Sequence, residues 1–359
     1  MRAIIQQLVF VCLTVFTMEA ISFEVRKDAN IKDASGGIIG LNHIALSVKD
    51  LDRALDFYQK GSGFELLSRE VVSGNAAADA LFAHSGIEYE VAVLKAPNML
   101  FELTEFKHNA DVPLTQMPAQ GPGMTHTCFQ SPKHDSGYDK FIQAGAKRLS
   151  RGTTPVDLGG YGVTYAYVYD PEGNMLELEQ LDGQVLARAG YDKAWQDIGE
   201  SMWMSQVGLA THDLDRLMNY YQQVLGFEPY RKAELKDNEK LNDITNIDDL
   251  ELKVGWFRLN QTSKVLEIWE YENPPTPKFE GERALTALGY SFSLEVDDIQ
   301  AEFQRLKAQG VALVGTPVQL GNFWQVYARD PDGNIFSLRQ VIDPQSTLSV
   351  RVLDREHTN

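Results

Sequence analysis

Cysteine is nearly absent: there are two in 359 residues, Cys12 and Cys128. Two thiols cannot make a disulfide framework, so the fold must be held by packing rather than by staples. Long apolar runs are missing too. The run at residues 8–16 is shorter than the roughly 20 residues a bilayer-spanning helix needs, so no stable membrane insertion is expected. Basic residues are the third scarcity, with Lys and Arg numbering 33 against 50 Asp and Glu, a formal net charge of −17. Nucleic acids and anionic lipid surfaces are recognised by clustered cations that displace counterions, so neither is an expected partner. What remains is a soluble chain, 43% hydrophobic, with enough apolar residues for two cores and a small molecule as the expected ligand.

The first twenty residues have the layout of a secretory signal: Arg2, the apolar run, then Ala20 as a small residue at a cleavage point. Residues 1–20 are read as a signal peptide and the protein as exported, to a periplasm or to the medium. Removing them leaves Cys128 alone. Residues 21–37 are polar and weakly patterned, and read as a linker.

Beyond them the chain repeats itself. Asn42-His43-Ile44-Ala45-Leu46-Ser47-Val48 followed by Asp50-Leu51-Asp52-Arg53 and Gly63-Phe64 answers to Ser205-Gln206-Val207-Gly208-Leu209-Ala210 followed by Asp213-Leu214-Asp215-Arg216 and Gly226-Phe227, at an offset of 163 (213 − 50). Asp170-Pro171-Glu172-Gly173-Asn174 answers to Asp330-Pro331-Asp332-Gly333-Asn334 at an offset of 160 (334 − 174). Duplication of a domain-sized unit explains both. The expected division is one domain at 38–182, a connection at 183–201, a second domain at 202–342, and a polar tail of low order at 343–359.

Within the first unit, residues 38–48 favour a strand. Asp50 is a helix N-cap, Leu51, Ala54, Leu55 and Tyr58 recur at helical spacing, and Gly61 and Gly63 end the helix. Strand-like segments follow at 64–72, 89–95 and 99–106, so the half-unit reads β-α-β-β-β. The next half reads the same way, with strands at 124–130, 163–169 and 175–180. Its last two strands flank a turn in which Pro171 presets φ and Gly173 supplies a positive φ.

With Asn42-His43-Ile44-Ala45-Leu46, Leu100-Phe101-Glu102-Leu103, Thr125-His126 and Asp170-Pro171-x-Gly173-Asn174-x-x-Glu177-Leu178 in this order, the chain resembles the vicinal oxygen chelate superfamily over residues 40–340. That group includes glyoxalase I, methylmalonyl-CoA epimerase, extradiol dioxygenases and bleomycin resistance proteins. The resemblance implies an α+β fold of tandem domains, each of two β-α-β-β-β modules whose mixed sheets curl around an open cavity. It also implies one divalent metal ion (Zn, Ni, Co, Mn or Fe) held by His43, Glu102, His126 and Glu177, with Glu177 or Glu102 as the catalytic base. No thiolate stands in this set to favour a softer ion. In the second unit Gln206, Glu267, Phe292 and Ser337 match the four positions. Phe cannot bind a metal and neutral Ser binds one poorly, so that unit is expected to be metal-free.

In some members the modules exchange. Gln206 and Glu267 would then join His126 and Glu177, and His43 and Glu102 would face Phe292 and Ser337. The in-domain set is preferred because it accounts for the presence of His43. Four protein ligands leave two open positions on a six-coordinate ion. That suits chelation of vicinal oxygens by a glyoxalase-I-like lyase, isomerase or epimerase. An extradiol dioxygenase would instead use two histidines and one carboxylate. A third reading is metal-free ligand sequestration of the bleomycin-resistance kind, with Tyr89, Tyr161, Tyr165, Tyr167, Trp256, Trp269 and Trp324 as cavity walls. Ordinary packing explains these aromatics as well.

Overall fold

A computed structural model describes residues 34–189, 201–259 and 264–353, and the backbone of 21–23. The expected signal peptide and most of the expected connection lie outside the described residues. Among the described residues, no helix is long and apolar enough to cross a membrane.

Four modules follow one another. The first holds β2 (Ile38–Val48), α1 (Leu51–Ser62), β3 (Glu65–Val72), α2 (Ala76–Leu81), β4 (Tyr89–Lys95) and β5 (Leu100–Phe106), preceded by the short β1 (Ile21–Phe23). The second holds β6 (Gly123–Pro132), α3 (Gly137–Gln143), β7 (Lys147–Arg148), β8 (Val156–Asp157), β9 (Val163–Tyr169) and β10 (Met175–Leu181), with α4 (Gly183–Arg188) after it. In the third are β11 (Trp203–Ala210), α5 (Leu214–Leu225), β12 (Arg231–Leu235), α6 (Glu239–Thr245), β13 (Glu251–Arg258) and β14 (Val265–Asn273). The fourth has β15 (Gly289–Val296), α7 (Ile299–Ala308), β16 (Ala312–Leu320), β17 (Phe323–Arg329) and β18 (Ile335–Val341). Each half-unit therefore has the expected β-α-β-β-β plan.

Local chemistry sets the helices. The Asp50 carboxylate accepts from the Arg53 amide, and Asp213 does the same for Arg216. Gly63 (φ 75°) and Gly226 (φ 77°) close the two helices in the left-handed conformation, which a side chain would strain. The repeated Asp-Pro-x-Gly-Asn turn does more than reverse the chain. Asp170 accepts from the backbone of Glu172 and Asn174 and from Tyr58 Oη at 2.9 Å, and Asp330 repeats this with Tyr221 at 3.0 Å. Glu172 reaches back to the Lys49 and Asp50 amides, so the turn of the second module ties down the first helix of the chain.

The strands pair differently from the in-domain expectation. β6 runs antiparallel beside β11, and β2 beside β15. The second and third modules thus share one sheet, in the order β1-β12-β13-β14-β11-β6-β10-β9-β7, and the first and fourth share the other, β16-β17-β18-β15-β2-β5-β4-β3. The modules have exchanged across the two halves of the chain. α1, α3 and α5 lie among the inward-facing side chains of both sheets, in one core that includes Tyr58, Phe101, Phe129, Phe141, Tyr221 and Phe336. Burying each such ring is worth about 1.5–3 kcal/mol, so the helix-side faces join the sheets while the other faces are left for function.

Two terminal expectations are corrected. Residues 21–23, read as linker, form an edge strand on β12. The tail is ordered as far as residue 353: Ser349 Oγ and the Val350 amide donate to the buried Glu295 at 2.6 and 2.8 Å, and Leu353 is fully buried. Polar composition concealed this because the anchoring acid lies far away in sequence, on β15.

Candidate metal centre

Register decides which side chains meet. Parallel pairing sets Glu177 opposite Cys128 and Glu267 opposite Gly208, and antiparallel pairing sets Gly208 opposite His126. Directly paired residues share a face and alternate residues return to it. His126, Cys128, Glu177, Glu179, Gln206 and Glu267 therefore stand together on the face of this sheet turned away from the helices. Tyr165, Tyr167 and Trp256, paired with Glu179, Glu177 and Glu267, stand around them. These aromatics, with Tyr161, Trp269 and Leu241 and Ile244 of α6, form a second apolar cluster that shields the polar group from water.

The group is buried. His126 Nε2 lies 3.6 Å from Glu177 Oε2, and neither atom has a hydrogen-bond partner. The other ring nitrogen is held: Thr125 Oγ1 lies 2.9 Å from His126 Nδ1 and donates to the Gly208 carbonyl at 3.4 Å. Thr125 thus fixes one edge of the ring and leaves Nε2 on the side of Glu177. Burial pushes Glu177 up to about 8, with the Cys128 thiol beside it opposing. Burial and then the Glu177 charge push Glu267 up to about 8, and burial pushes His126 down to about 4 against the pull of Glu267. A buried cluster of acids and an imidazole in which two facing polar atoms lack partners is an unfavourable arrangement for the bare protein. A divalent cation would relieve it, and one imidazole, two carboxylates and one amide are donors of the kind such an ion takes.

The other sheet holds His43 and Glu102, 3.9 Å apart, but no counterpart of His126 and Glu177. Four residues expected to make one site are thus divided between two sheets, because β2 pairs with β15 rather than with β6. Glu102 is held by Arg339 Nη2 at 3.2 Å, and Arg339 Nε donates to Gln325 at 2.9 Å. Burial, and then Arg339, holds His43 well below the usual imidazole range. Ser337 stands where Glu177 stands in the first sheet and donates to Ser293 at 2.8 Å. The position answering to His126 is Ser291, not Phe292. Ser291 pairs with Ala45 as His126 pairs with Gly208, whereas Phe292 faces the core and stacks on Phe336 at 5.8 Å. A guanidinium thus takes the place of a metal ion here, and Glu102 is an ion-pair partner, not a base for the centre around His126.

Arg339 was visible in the sequence at the repeat offset from Glu179 (339 − 179 = 160), as a reversal of charge at equivalent positions. Gly208 gave a subtler signal. An added Cβ there would lie 2.3 Å from His126 Cε1, so the absence of a side chain makes room for the ring. Gly208→Ala is expected to displace the ring and weaken divalent-ion binding by at least about tenfold, the lower end of what losing support around a ligand costs. Calorimetric titration with Ni(II) or Zn(II), with circular dichroism as the folding control, measures it. The expected aromatic walls also divide: Tyr161, Tyr165, Tyr167, Trp256 and Trp269 join the cluster over the centre, while Tyr89 and Trp324 belong to the other sheet.

The chain is similar to known proteins of one family. Lactoylglutathione lyase of Pseudomonas aeruginosa is 30% identical over 155 residues, 40% of this chain and 85% of that protein. A lactoylglutathione lyase of Arabidopsis thaliana is 28% identical over 192 residues, 54% of this chain and 56% of that protein. In fold, the crystal structure of glyoxalase I from Zea mays superposes with a TM-score of 0.56 at 21% identity, covering 89% of this chain and 97% of that one. Residues 40–178 and 203–338 each match the family model, and so the duplicated chain with its exchanged sheets belongs to the Glyoxalase/Bleomycin resistance protein/Dioxygenase superfamily.

Proposed function

We propose that the protein is a metal-dependent lyase, isomerase or epimerase of the glyoxalase I type, moving a proton at a carbon next to a carbonyl in a substrate with vicinal oxygens. The observation that carries this reading is the placement of Gln206, Glu267, His126 and Glu177 on one face of one sheet, with His126 Nε2 and Glu177 Oε2 unpartnered and 3.6 Å apart. A bound divalent ion would polarise the substrate oxygens and stabilise the charge that develops on them. The chain supplies the rest. Glu177 Oε2 is free to take the proton from the hydroxyl-bearing carbon and return it to the adjacent carbonyl carbon, while the hydroxyl proton passes to the former carbonyl oxygen. Glu267, the acid on the opposite strand pair, can hold a proton on the other side. A carboxyl whose affinity for protons is raised toward neutrality suits such transfer, and burial has done that to both acids. Tyr167 and Trp256 exclude water from the carbanion-like charge. The step needs no oxidant and no co-reactant. The donor set of one imidazole, two carboxylates and one amide also differs from the two-histidine, one-carboxylate triad of ring-cleaving oxygenases.

The test is turnover by chelator-treated, metal-reloaded protein with α-keto hemithioacetals, acyl-CoA epimers and catechols. Expected are metal-dependent conversion of one of the first two classes, with solvent deuterium entering the product, and a loss of about a hundredfold or more in kcat in Glu177→Gln. Oxygen consumption with ring cleavage of a catechol would overturn the reading.

A further inference from the structure

Beside the four residues just described lies a thiol that the proposed reaction does not use. Cys128 is completely buried and stands opposite Glu177 across the β6–β10 pair. Its Sγ and one carboxylate oxygen from each of Glu177 and Glu179 lie within 4.8 Å of one another. Glu179 is aimed and held by its neighbours: Gln130 Nε2 donates to its Oε2 at 2.6 Å, and Gln130 Oε1 is in turn fixed by the Trp203 indole at 2.7 Å. Independently of the cysteine, Glu177 Oε2 is buried and without a partner. Tetrahedral zinc, with bonds of about 2.3 Å to sulfur and about 2.1 Å to oxygen, sets its donors roughly 3.5 Å apart, so the three atoms need to close by little more than an ångström.

We propose that this trio is a second cation seat, one layer deeper along the strands, which takes thiophilic divalent ions and shares Glu177 with the outer seat. Zn(II), Cd(II) and Co(II) bind there with release of the thiol proton, whereas Mg(II) and Mn(II), which prefer oxygen donors, are confined to the outer seat. Gln206 also hydrogen-bonds Glu179. The proposal rests on the reading of the cavity as a cation site, and the experiment separates the two.

Co(II) is titrated into the chelator-treated full-length chain while visible ligand-field bands and the near-ultraviolet sulfur-to-cobalt charge-transfer band are recorded. Expected is a charge-transfer band in the wild type and in Cys12→Ser. It is lost in Cys128→Ser, which keeps the visible bands through the outer seat. Glu179→Gln should need about tenfold more cobalt to reach the same band. X-ray absorption of the zinc-loaded wild type needs no variant, and a sulfur shell at about 2.3 Å is expected. Visible bands with no charge-transfer band and no sulfur shell would overturn the inner seat and leave the outer one standing. A charge-transfer band that survives in Cys128→Ser would overturn it as well. No cobalt binding of any kind would overturn both readings.

Discussion

Substituting His126 or Glu267 by Ala abolishes tight binding of Mn(II), an ion confined to the outer seat, while His43→Ala leaves it within about twofold of wild type. The expected loss for the first two is at least about a hundredfold, because even partners that only orient a ligand are worth ~10–100-fold. Gln206→Ala belongs with them, though its effect is smaller because a neutral amide is the weakest donor of the set. The contrast follows from strand pairing: His126 and Glu177 share their sheet with Gln206 and Glu267, whereas His43 shares its sheet with Arg339 and Ser337. Isothermal titration on folded variants reads all four affinities. Loss of binding in His43→Ala, with Gln206→Ala unaffected, would mean that the in-domain arrangement operates in solution.

Metal-free protein loses stability between pH 6.5 and 8, and a bound divalent ion removes that loss. Glu177 and Glu267 are raised to about 8 from an ordinary 4.5, so the folded chain holds protons that the unfolded chain has released. Their contribution is complete below 4.5 and disappears as pH climbs through 8. His126, lowered to about 4 from 6.5, works oppositely. Folding holds it neutral, so its contribution is present above 6.5 and is lost as pH falls through 4. Between 4.5 and 6.5 the two tendencies oppose, and above 6.5 only the acids matter. Each group contributes a slope of about 1.4 kcal/mol per pH unit. These acids, coupled to one another and to Glu179, itself pushed well up by burial, therefore lower the Tm of the chelated protein by several degrees over this window. Differential scanning calorimetry of chelator-treated protein measures the fall. With saturating Zn(II) the curve flattens, because the ion takes the place of the protons. A chelated protein whose Tm is level across the window would show that these acids are hydrated and ionised in the cavity, contrary to their burial.

The recurrence of short cues at a constant offset reported duplication. Asp50 with Gly63, and Asp213 with Gly226, marked two helices that begin and end as the caps require. Such features are legible because they are local: a cap bonds an amide three residues away, a turn closes over four residues, and strand alternation has period two. The positions of His43, Glu102, His126 and Glu177 on first and last strands were legible for the same reason. Phe292 and Ser291 show the limit. A one-residue change of register turns a core ring toward the cavity or a hydroxyl away from it, and no local cue distinguished the two.

The sequence by itself determined the β-α-β-β-β modules, their fourfold recurrence and the residue types able to chelate, since each follows from neighbours along the chain. Only the tertiary structure decided which modules share a sheet, and with that whether His126 meets Glu102 or Glu267. Both pairings would join antiparallel strands with one apolar and one polar face, so the alternation of residues along each strand cannot distinguish them. The choice is made by contacts distant in sequence, among them β2 beside β15, β6 beside β11 and the tail on Glu295. The same pairing put Arg339 against Glu102 on one sheet, and on the other left His126 and Glu177 facing each other without a fixed cation between them.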